Sequence, residues 1–253
     1  MYVAELTERL WSSRAAGDYF PAWLNELDVD EAQSLAAGLL QRELASGDAT
    51  LAGWKVGLTS ARVRRTVGLD ARPFGRILAR RVLPSGAVVP ASSIRHPSIE
   101  PELCFTFGSP VSGPAPTADD VRAALSTVAA GFELNERRPG SSTPTIVAMM
   151  TDSVTHWGIV VGDAQPIGDV DLPAIRCTMS CNGEQRYTGV SAEELDDHIA
   201  SLAALAARLH RHGLAIDAGH RVITGAFARF DASAGEHWRA DYDGVGSVEM
   251  SWS

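Results

Sequence analysis

The sequence predicts a mixed α/β protein, in which a helical N-terminal segment precedes a mainly β body. The 253 residues are 45% hydrophobic and 21% charged, which is enough for a large core without disulfide bonds. Apolar residues near the start recur at helical spacing. From Val88 onward, short β-prone runs alternate with Gly and Pro turns. We therefore predict two units, residues 1–70 with the strand around Lys55 and residues 71–253 with the main β domain.

Charge and composition limit the kinds of molecule that the protein is expected to bind. A net charge of −9 without a basic run argues against nucleic acid or an anionic membrane as the main partner. No apolar run is long enough to span a membrane, and charged residues interrupt the start, unlike in a signal peptide. The three cysteines are an odd number, and Cys177 and Cys181 read as core residues. We expect a cytoplasmic protein that acts on a small molecule.

The helices follow from apolar spacing and capping residues. Ala4 to Ala16 form one amphipathic pattern, and Asp30 is expected to cap a second helix, Glu31 to Ser46. Thr59 is expected to cap the short helix Ala61 to Val67, which Gly68 ends. Two capping boxes predict further helices, from Thr117 through Thr127 and from Ser191 to about His212.

The strands follow from short apolar or β-branched runs between turn residues. The Asn182-Gly183 pair predicts a hairpin turn, and the C-terminal tail reads as a second hairpin. The predicted strands are Leu51–Thr59, Ile77–Leu83, the run around Glu100, Val128–Asn135, Ile159–Val161, Ile175–Cys181 with its return to Tyr187, Arg221–Ala226, Glu236–Tyr242 and Ser247–Trp252.

Glu100 and Glu102 stand one residue apart in the β-prone run His96–Gly108. In an extended strand their side chains project from the same face, where like charges repel unless a cation lies between them. The motif therefore reads either as half of a metal site or as the solvated acidic face of an edge strand. Pro101 favours an edge or strand margin because proline donates no ladder hydrogen bond.

Lys55 is the only lysine among 22 basic residues. It lies in an apolar run, where burying an unpaired ammonium is costly. A lysine kept in an otherwise arginine-only chain suggests proton transfer or neutralisation of nearby carboxylates. Chance retention of Lys55, with the amine reaching water, is the alternative.

Glu133 is a third candidate carboxylate for the site, after Glu100 and Glu102. Phe132 and Leu134 bracket it in a strand that reads as buried.

Several motifs, in this order along the chain, resemble the 2-keto-4-pentenoate hydratase and 4-oxalocrotonate decarboxylase group of the fumarylacetoacetate hydrolase superfamily. The resemblance runs from Ala52 to Val248. It rests on the segments Gly53–Ser60, Ile99–Glu102, Phe132–Leu134, Asp152 with Thr155, Ala218–Ala226 and Gly244–Val248.

The resemblance implies a rolled, mostly antiparallel β core with outer helices, in a homo-oligomeric, metal-dependent lyase. It implies that Glu100, Glu102 and Glu133 bind Mg²⁺ or Mn²⁺, which prefer oxygen ligands. Lys55 would be a catalytic lysine. We further assign Asp152 to proton transfer or water orientation, and Thr155, Thr224 and Arg137 to substrate binding.

The activity expected first is hydration of a 2-hydroxydienoate or 2-oxo-4-enoate in aromatic catabolism. Decarboxylation of a 2-oxo diacid is the alternative, with Arg137 or Arg138 binding the distal carboxylate. Hydrolysis of an acylpyruvate is the third expectation, and a non-catalytic binding role is the fourth. Three departures from the group predict an altered pocket: Pro73 before Phe74-Gly75, the loop 152–157, and the segment 134–138 after Glu133.

Overall fold

The computed structural model describes residues 2–168 and 170–253. Two helices at the start, α1 (Tyr2–Ala15) and α2 (Val29–Ala45), confirm the helical N-terminal pattern. The cap of α2 is Asp28 and not the predicted Asp30. The Asp28 side chain accepts a hydrogen bond from the Glu31 backbone N–H at 2.8 Å, and the Glu31 carboxylate accepts one from the Asp28 N–H at 3.0 Å. This reciprocal pair satisfies two free backbone donors at the helix start.

The later elements are short helices set between strands. The helices are α3 (Ala61–Val67), α4 (Ala118–Ala124), α5 (Ile146–Met150), α6 (Ser191–Glu194) and α7 (His198–Arg211). The strands are β1 (Leu51–Val56), β2 (Phe74–Leu78), β3 (Val82–Pro84), β4 (Ala87–Val89), β5 (Ser98–Phe107), β6 (Leu125–Asn135), β7 (His156–Val161), β8 (Gln165–Pro166), β9 (Arg176–Cys181), β10 (Glu184–Val190), β11 (Arg221–Thr224), β12 (Phe230–Asp231), β13 (His237–Tyr242) and β14 (Gly246–Trp252).

Within the described residues the strands form two mixed sheets. The larger has the order β2-β1-β11-β5-β6-β7-β3, with β12 beside β5 and β8 beside β6. The smaller has the order β10-β9-β13-β14-β4. Most pairs are antiparallel, and the parallel ones are β1/β11, β3/β7 and β14/β4. Apolar side chains of both sheets share one core. The predicted mixed α/β class with a mostly antiparallel core is confirmed.

Strand β1 belongs to the larger sheet, between β2 and β11. Lys55 therefore lies in the same layer as the strands that carry the three glutamates. The division of the chain at residue 70 stays a prediction.

The reading of β5 as an edge strand is wrong, because β5 lies inside the larger sheet, but the expected lack of full ladder pairing at Pro101 is confirmed. On one side β5 pairs with β6 over its whole length. On the other side, β11 pairs with residues 104–106 and β12 with residues 98–99. Pro101 falls in the gap between these two partners, where its carbonyl accepts a hydrogen bond from the Phe227 backbone N–H at 3.0 Å. A proline is tolerated there because the ladder is interrupted on the side that its nitrogen faces.

The single helix predicted from Ser191 to His212 is interrupted at residues 195–197. Helix α6 ends at Glu194, and the Asp197 carboxylate then caps α7 by accepting from the Ala200 N–H at 2.7 Å. Between them, Asp196 accepts from Arg64 and Arg72, each at 2.5 Å. These ion pairs hold the intervening residues extended, so the chain restarts as a second helix.

Other boundaries move by a few residues. The predicted strand Ile77–Leu83 is two strands, β2 and β3, separated by a short 3₁₀ turn at Ala79–Arg81. Helix α4 ends at Ala124, and β6 begins at once at Leu125. The Thr59 cap is not formed, and Ser60 precedes α3 without a side-chain bond to the helix. The C-terminal hairpin and the Asn182-Gly183 turn are confirmed.

The three cysteines and the lengths of the helices relate to expectations drawn from the composition. Cys104, Cys177 and Cys181 are free and buried, as expected of core residues. Across the described ranges, no helix is both long and apolar enough to cross a membrane.

Candidate metal centre and active-site cavity

Pairing of β5 with β6 brings the three predicted carboxylates together. Glu100 lies directly opposite Glu133 in this pair, and Glu102 follows two residues later on the same face of β5. The three residues are 8%, 2% and 0% exposed. One carboxylate oxygen from each lies within 4.8 Å of the other two. The cluster that the sequence predicted is therefore present, deep in the sheet.

Lys55 completes the cluster from β1. Its Nζ lies 2.6 Å from Glu133 Oε1 and 2.8 Å from Oε2, and the residue is only 4% exposed. Gly75 faces Lys55 on β2, where a Cβ atom would lie 2.7 Å from Lys55 Cγ and 2.8 Å from Ser153 Cβ. The absence of a side chain at Gly75 thus leaves the space through which the lysine reaches the glutamates.

Burial and mutual repulsion raise the pKa values of two of the three glutamates, whereas the pKa of the third is lowered. Burial and the Glu133 carboxylate raise the pKa of Glu100 to about 7, and the same causes raise the pKa of Glu102 well above its usual range. Although burial opposes its ionisation, Lys55 and His156 hold the pKa of Glu133 below its usual range. Burial lowers the pKa of Lys55, but the three glutamates outweigh this and raise it.

These residues fit a divalent cation. One lysine offsets one of the three carboxylates, and Glu102 Oε2 is buried without a hydrogen-bond partner among the described residues. A buried carboxylate oxygen without a partner is costly, so it favours a further positive group. Oxygen-only ligand sets are those that Mg²⁺ and Mn²⁺ prefer.

His156 is a member of the site whose contact sequence reasoning did not predict. Its Nδ1 lies 2.6 Å from Glu133 Oε1, and since Glu133 is the acid held ionised, Nδ1 carries the hydrogen and donates it. Burial lowers the pKa of His156, which keeps the ring neutral. The residue thus serves as a hydrogen-bonding partner of Glu133. The partner could have been inferred only from the β6/β7 register, in which His156 pairs with Asn135.

Arg229 was also missed. Its Nη1 donates to Glu100 Oε1 at 3.1 Å, and its side chain is 47% exposed. It lies in the segment between β11 and β12. No spacing pattern in the sequence relates Arg229 to Glu100, because their proximity depends on the sheet order.

A cavity of about 900 Å³ opens from the carboxylate cluster. Among the predicted substrate-binding residues, Thr155 and Arg137 line it. Much of the remaining wall is apolar, including Val63, Met149 and Phe227. The cavity therefore joins a charged inner end to a wall suited to a carbon chain. Its charged lining residues are Lys55, Arg62, Glu100, Glu102, Glu133, Arg137, Arg138 and Arg229.

Two predicted site residues lie outside the lining of this cavity. Asp152 accepts a hydrogen bond from Arg138 Nη1 at 2.6 Å and lines a neighbouring cleft. Thr224 is buried behind the wall, where its hydroxyl lies 2.6 Å from His198 Nδ1. A catalytic role for Asp152 and a substrate contact for Thr224 stay predictions. Thr155, by contrast, lines the cavity and donates its hydroxyl to Asn135 Oδ1 at 3.0 Å.

The cavity wall includes backbone in an unfavourable conformation. Val154 and Thr155 on this wall have φ angles of 53° and 69°, the preceding Ser153 has 54°, and Leu58, which also lines the cavity, has 55°. Positive φ is uncommon for residues other than glycine, and most of all for a β-branched residue such as Val154. Strain of this kind collects at functional sites, where the surrounding fold holds it in place.

No family model matches the sequence. Curated proteins do match it over most of its length. The chain is 28% identical over 232 residues to the 2-oxo-hept-4-ene-1,7-dioate hydratase of Escherichia coli, covering 88% of this chain and 86% of that one. It is 28% identical over 225 residues to the 4-oxalocrotonate decarboxylase of Pseudomonas putida, covering 88% and 85%. It is 27% identical over 238 residues to the 2-keto-4-pentenoate hydratase of Paraburkholderia xenovorans strain LB400, covering 93% and 86%.

Solved structures agree with these relatives. The 4-oxalocrotonate decarboxylase from Pseudomonas putida G7, complexed with magnesium and adipate, superposes with a TM-score of 0.89 at 26% identity, covering 100% of this chain and 97% of that one. The fumarylpyruvate hydrolase from Pseudomonas aeruginosa shares the fold, with a TM-score of 0.61 at 18% identity and coverage of 79% and 88%. The chain is thus similar in sequence to 2-keto-4-pentenoate hydratases and 4-oxalocrotonate decarboxylases over most of its length, and it shares the fold of fumarylpyruvate hydrolase.

Proposed function

We propose that this chain is a divalent-metal-dependent lyase that hydrates a 2-hydroxydienoate or 2-oxo-4-enoate to a 4-hydroxy-2-oxo acid. The observation that carries the proposal is the buried cluster of Glu100, Glu102 and Glu133 beside Lys55, at the inner end of a large cavity. Hydratases and decarboxylases among the relatives support the same reaction class.

Glu100, Glu102 and Glu133 would hold Mg²⁺ or Mn²⁺. The bound ion would supply Lewis acidity toward the carboxylate and 2-oxo oxygens of the substrate. The buried setting of the glutamates excludes bulk water from this end of the cavity and so strengthens its electrostatic interactions. His156 fixes the orientation of Glu133 through the 2.6 Å hydrogen bond from its Nδ1.

Hydration requires two proton movements and the addition of one water molecule. The 2-hydroxyl of the dienol loses its proton while C5 gains one, which gives a 2-oxo-3-enoate. Water then adds its oxygen to C4, and C3 receives a proton. We assign the proton held at Lys55 Nζ to one of these transfers, since the ammonium lies at the inner end of the cavity. The apolar wall holds the carbon chain, and Thr155 at that wall is assigned to substrate contact.

The test is turnover of the purified chain with Mg²⁺ or Mn²⁺. Incubation with 2-hydroxypenta-2,4-dienoate should consume the conjugated absorbance and yield 4-hydroxy-2-oxopentanoate by mass spectrometry. The Glu102→Gln variant is the matched control, which should leave the dienoate intact. Persistent conjugation with the metal-loaded wild-type chain, while 4-oxalocrotonate is also left unchanged, would contradict the lyase proposal.

Decarboxylation of a 2-oxo diacid is the second candidate, and Arg137 favours it. This exposed residue lines the cavity with the carboxylate cluster, where its guanidinium can pair with a distal carboxylate. Arg138 also lines the cavity, but Asp152 and Glu136 already engage it at 2.6 Å and 3.1 Å. With 4-oxalocrotonate as substrate, CO₂ release at a rate above that of dienoate hydration would favour this reaction. Arg137→Ala should then raise the KM for the diacid but not for the monoacid.

The other expectations from the sequence remain part of the proposal. We place the chain in the cytoplasm as a homo-oligomer whose partner is a small 2-oxo acid. Hydrolysis of an acylpyruvate and a non-catalytic binding role are the remaining alternatives. The non-catalytic role would be favoured by a purified chain that binds no Mg²⁺ or Mn²⁺ in calorimetry.

A further inference from the structure

A second cleft lies beside the active-site cavity, with a volume of about 420 Å³. It is formed where α1 and α2 meet the β2–β3 region and the loops at residues 136–138 and 152–157. None of the three clustered glutamates belongs to its lining. It shares Arg138 with the active-site cavity and otherwise has a lining of its own, which includes Asp152.

Positive charge dominates this cleft. Five arginines line it, against three carboxylates, so two positive charges are in excess. The three carboxylates are already engaged by arginine: Glu43 with Arg76 and Arg80, Glu136 with Arg138, and Asp152 with Arg138 and Arg14. These ion pairs engage four of the five arginines and leave Arg81 without an ion pair among the described residues.

Two of the arginines have unused donors. The guanidinium of Arg81 lies over the Trp157 ring, 3.8 Å from its centroid, and has no hydrogen bond or ion pair to any residue of the described ranges. Arg14 Nε is buried and likewise has no partner in those ranges. The nearest carboxylate oxygen to Arg14 is Asp152 Oδ1, 3.7 Å from its Nη2. Burying donors of charged groups without acceptors is unfavourable, and an anion in the cleft would satisfy them.

The arginine side chains of the cleft also repel one another. Burial and the neighbouring Arg76 and Arg138 lower the pKa of Arg14 to about 10, although Asp152 works in the opposite direction. Burial and the neighbouring Arg80 and Arg138 lower the pKa of Arg81 as well, with Glu136 opposing the shift. An anion between these side chains would relieve the repulsion that both shifts reflect.

We propose that this cleft is a second binding site, specific for a small dianion that carries carboxylate or phosphate groups. Two negative charges match the excess of two positive ones. The planar guanidinium of Arg81 suits bidentate contact with such an oxyanion, and the Trp157 ring holds that guanidinium in place. Arg14 supplies the buried inner donor, and Arg80, which is half-exposed, lies near the rim.

The test is calorimetric titration of the full chain with inorganic phosphate and, separately, with succinate. Ionic strength is held constant with chloride, and divalent metal is left out, so that no cation bound at the carboxylate cluster can hold either probe. We expect binding of at least one probe, with the tighter one distinguishing a phosphate from a dicarboxylate ligand. Arg81→Gln should weaken that binding about tenfold or more, as expected for the loss of a charged hydrogen bond.

Arg122→Gln is the matched control, since Arg122 is exposed on α4, outside the cleft. It should bind the probe as the wild-type chain does. Arg80→Gln provides a second variant with the same expected direction if Arg81→Gln does not fold. The proposal is overturned if neither probe binds, or if the cleft variants and Arg122→Gln bind equally well. Because no substrate is present, failure here and failure of the lyase proposal are separate results.

Discussion

The carboxylate cluster of the active-site cavity and the arginine cleft lie on two sides of the same segment, residues 152–156, and carry net charges of opposite sign. Val154 and Thr155 line the cavity, whereas Asp152 and Ser153 line the cleft. In each space the fold brings like charges closer than their counter-charges can balance. The cluster has three carboxylates for Lys55 and the half-exposed Arg229, and the cleft has five arginines for three carboxylates. The difference indicates a cation site and an anion site separated by one strained loop.

The largest effect is expected at the carboxylates of the cavity. Glu102→Gln removes one charged ligand and should lower turnover by about a thousandfold, since a catalytic metal contributes several kcal/mol to transition-state stabilisation. The measurement is kcat with the dienoate or diacid that the wild-type chain consumes, at saturating Mg²⁺.

Glu184→Gln is the control for this prediction, because it makes the same chemical change at an exposed position in the smaller sheet. It should leave kcat unchanged. If both variants lost a comparable part of kcat, the loss in Glu102→Gln would not come from the metal site.

Two substitutions of Lys55 distinguish a role in balancing charge from a role in proton transfer. Lys55→Met leaves Glu133 buried without its cation and should lower the free energy of unfolding of the metal-free chain by about 3 to 5 kcal/mol. Lys55→Arg should keep the fold but lose most turnover, because a guanidinium transfers protons poorly. Denaturant unfolding and kcat measure the two effects. Near-normal turnover in Lys55→Arg would remove the assignment of proton transfer to Lys55.

His198 provides a reference away from both charged spaces. It is buried between Ser191 and Thr224, and burial lowers its pKa to about 4, with Asp197 opposing the shift. Between pH 6.5 and 4 the unfolded state binds the proton more readily than the folded state. The free energy of unfolding should therefore fall by about 3 kcal/mol as the pH falls through this window.

His198→Gln should flatten this part of the pH profile. His210→Gln, at the exposed end of the same helix, should leave the profile as it is in the wild-type chain. Parallel profiles for the wild-type chain and both variants would contradict the buried neutral state of His198.

The smallest effect is expected at His156, which contacts Glu133 but not the substrate in this account. His156→Asn should weaken Mg²⁺ binding about 10- to 100-fold, the range typical of residues that orient metal ligands. An unchanged Kd for Mg²⁺ in calorimetry would reduce His156 to a packing role. Rescue of turnover at high Mg²⁺ would support orientation of Glu133 over a direct part in the chemistry.

Patterns with a local physical cause were readable from the sequence. The two carboxylates of Glu100 and Glu102 share a strand face because side chains alternate along a strand, and the turn at Asn182-Gly183 follows from the backbone that these residues favour. The isolated Lys55 could be singled out by composition alone. The membership of Glu133 in the cluster came from the resemblance to a family, and the register of β5 with β6 accounts for it in space.

Features that depend on long-range pairing were not predictable. The position of Pro101 inside a sheet depends on where β11 and β12 end. The break before α7 depends on Arg64 and Arg72 reaching Asp196 from more than a hundred residues away. The same holds for His156 beside Glu133 and for Asp152, whose partners Arg138 and Arg14 place it on the cleft.

The most direct test of the central claim is titration of the metal-free chain with Mn²⁺, followed by electron paramagnetic resonance and calorimetry. The three-carboxylate account predicts one Mn²⁺ per chain, displaced by excess Mg²⁺ and abolished by Glu102→Gln but not by Glu184→Gln. A wild-type chain that binds no divalent ion, or a Glu102→Gln variant that binds it as tightly as the wild type, would contradict the account.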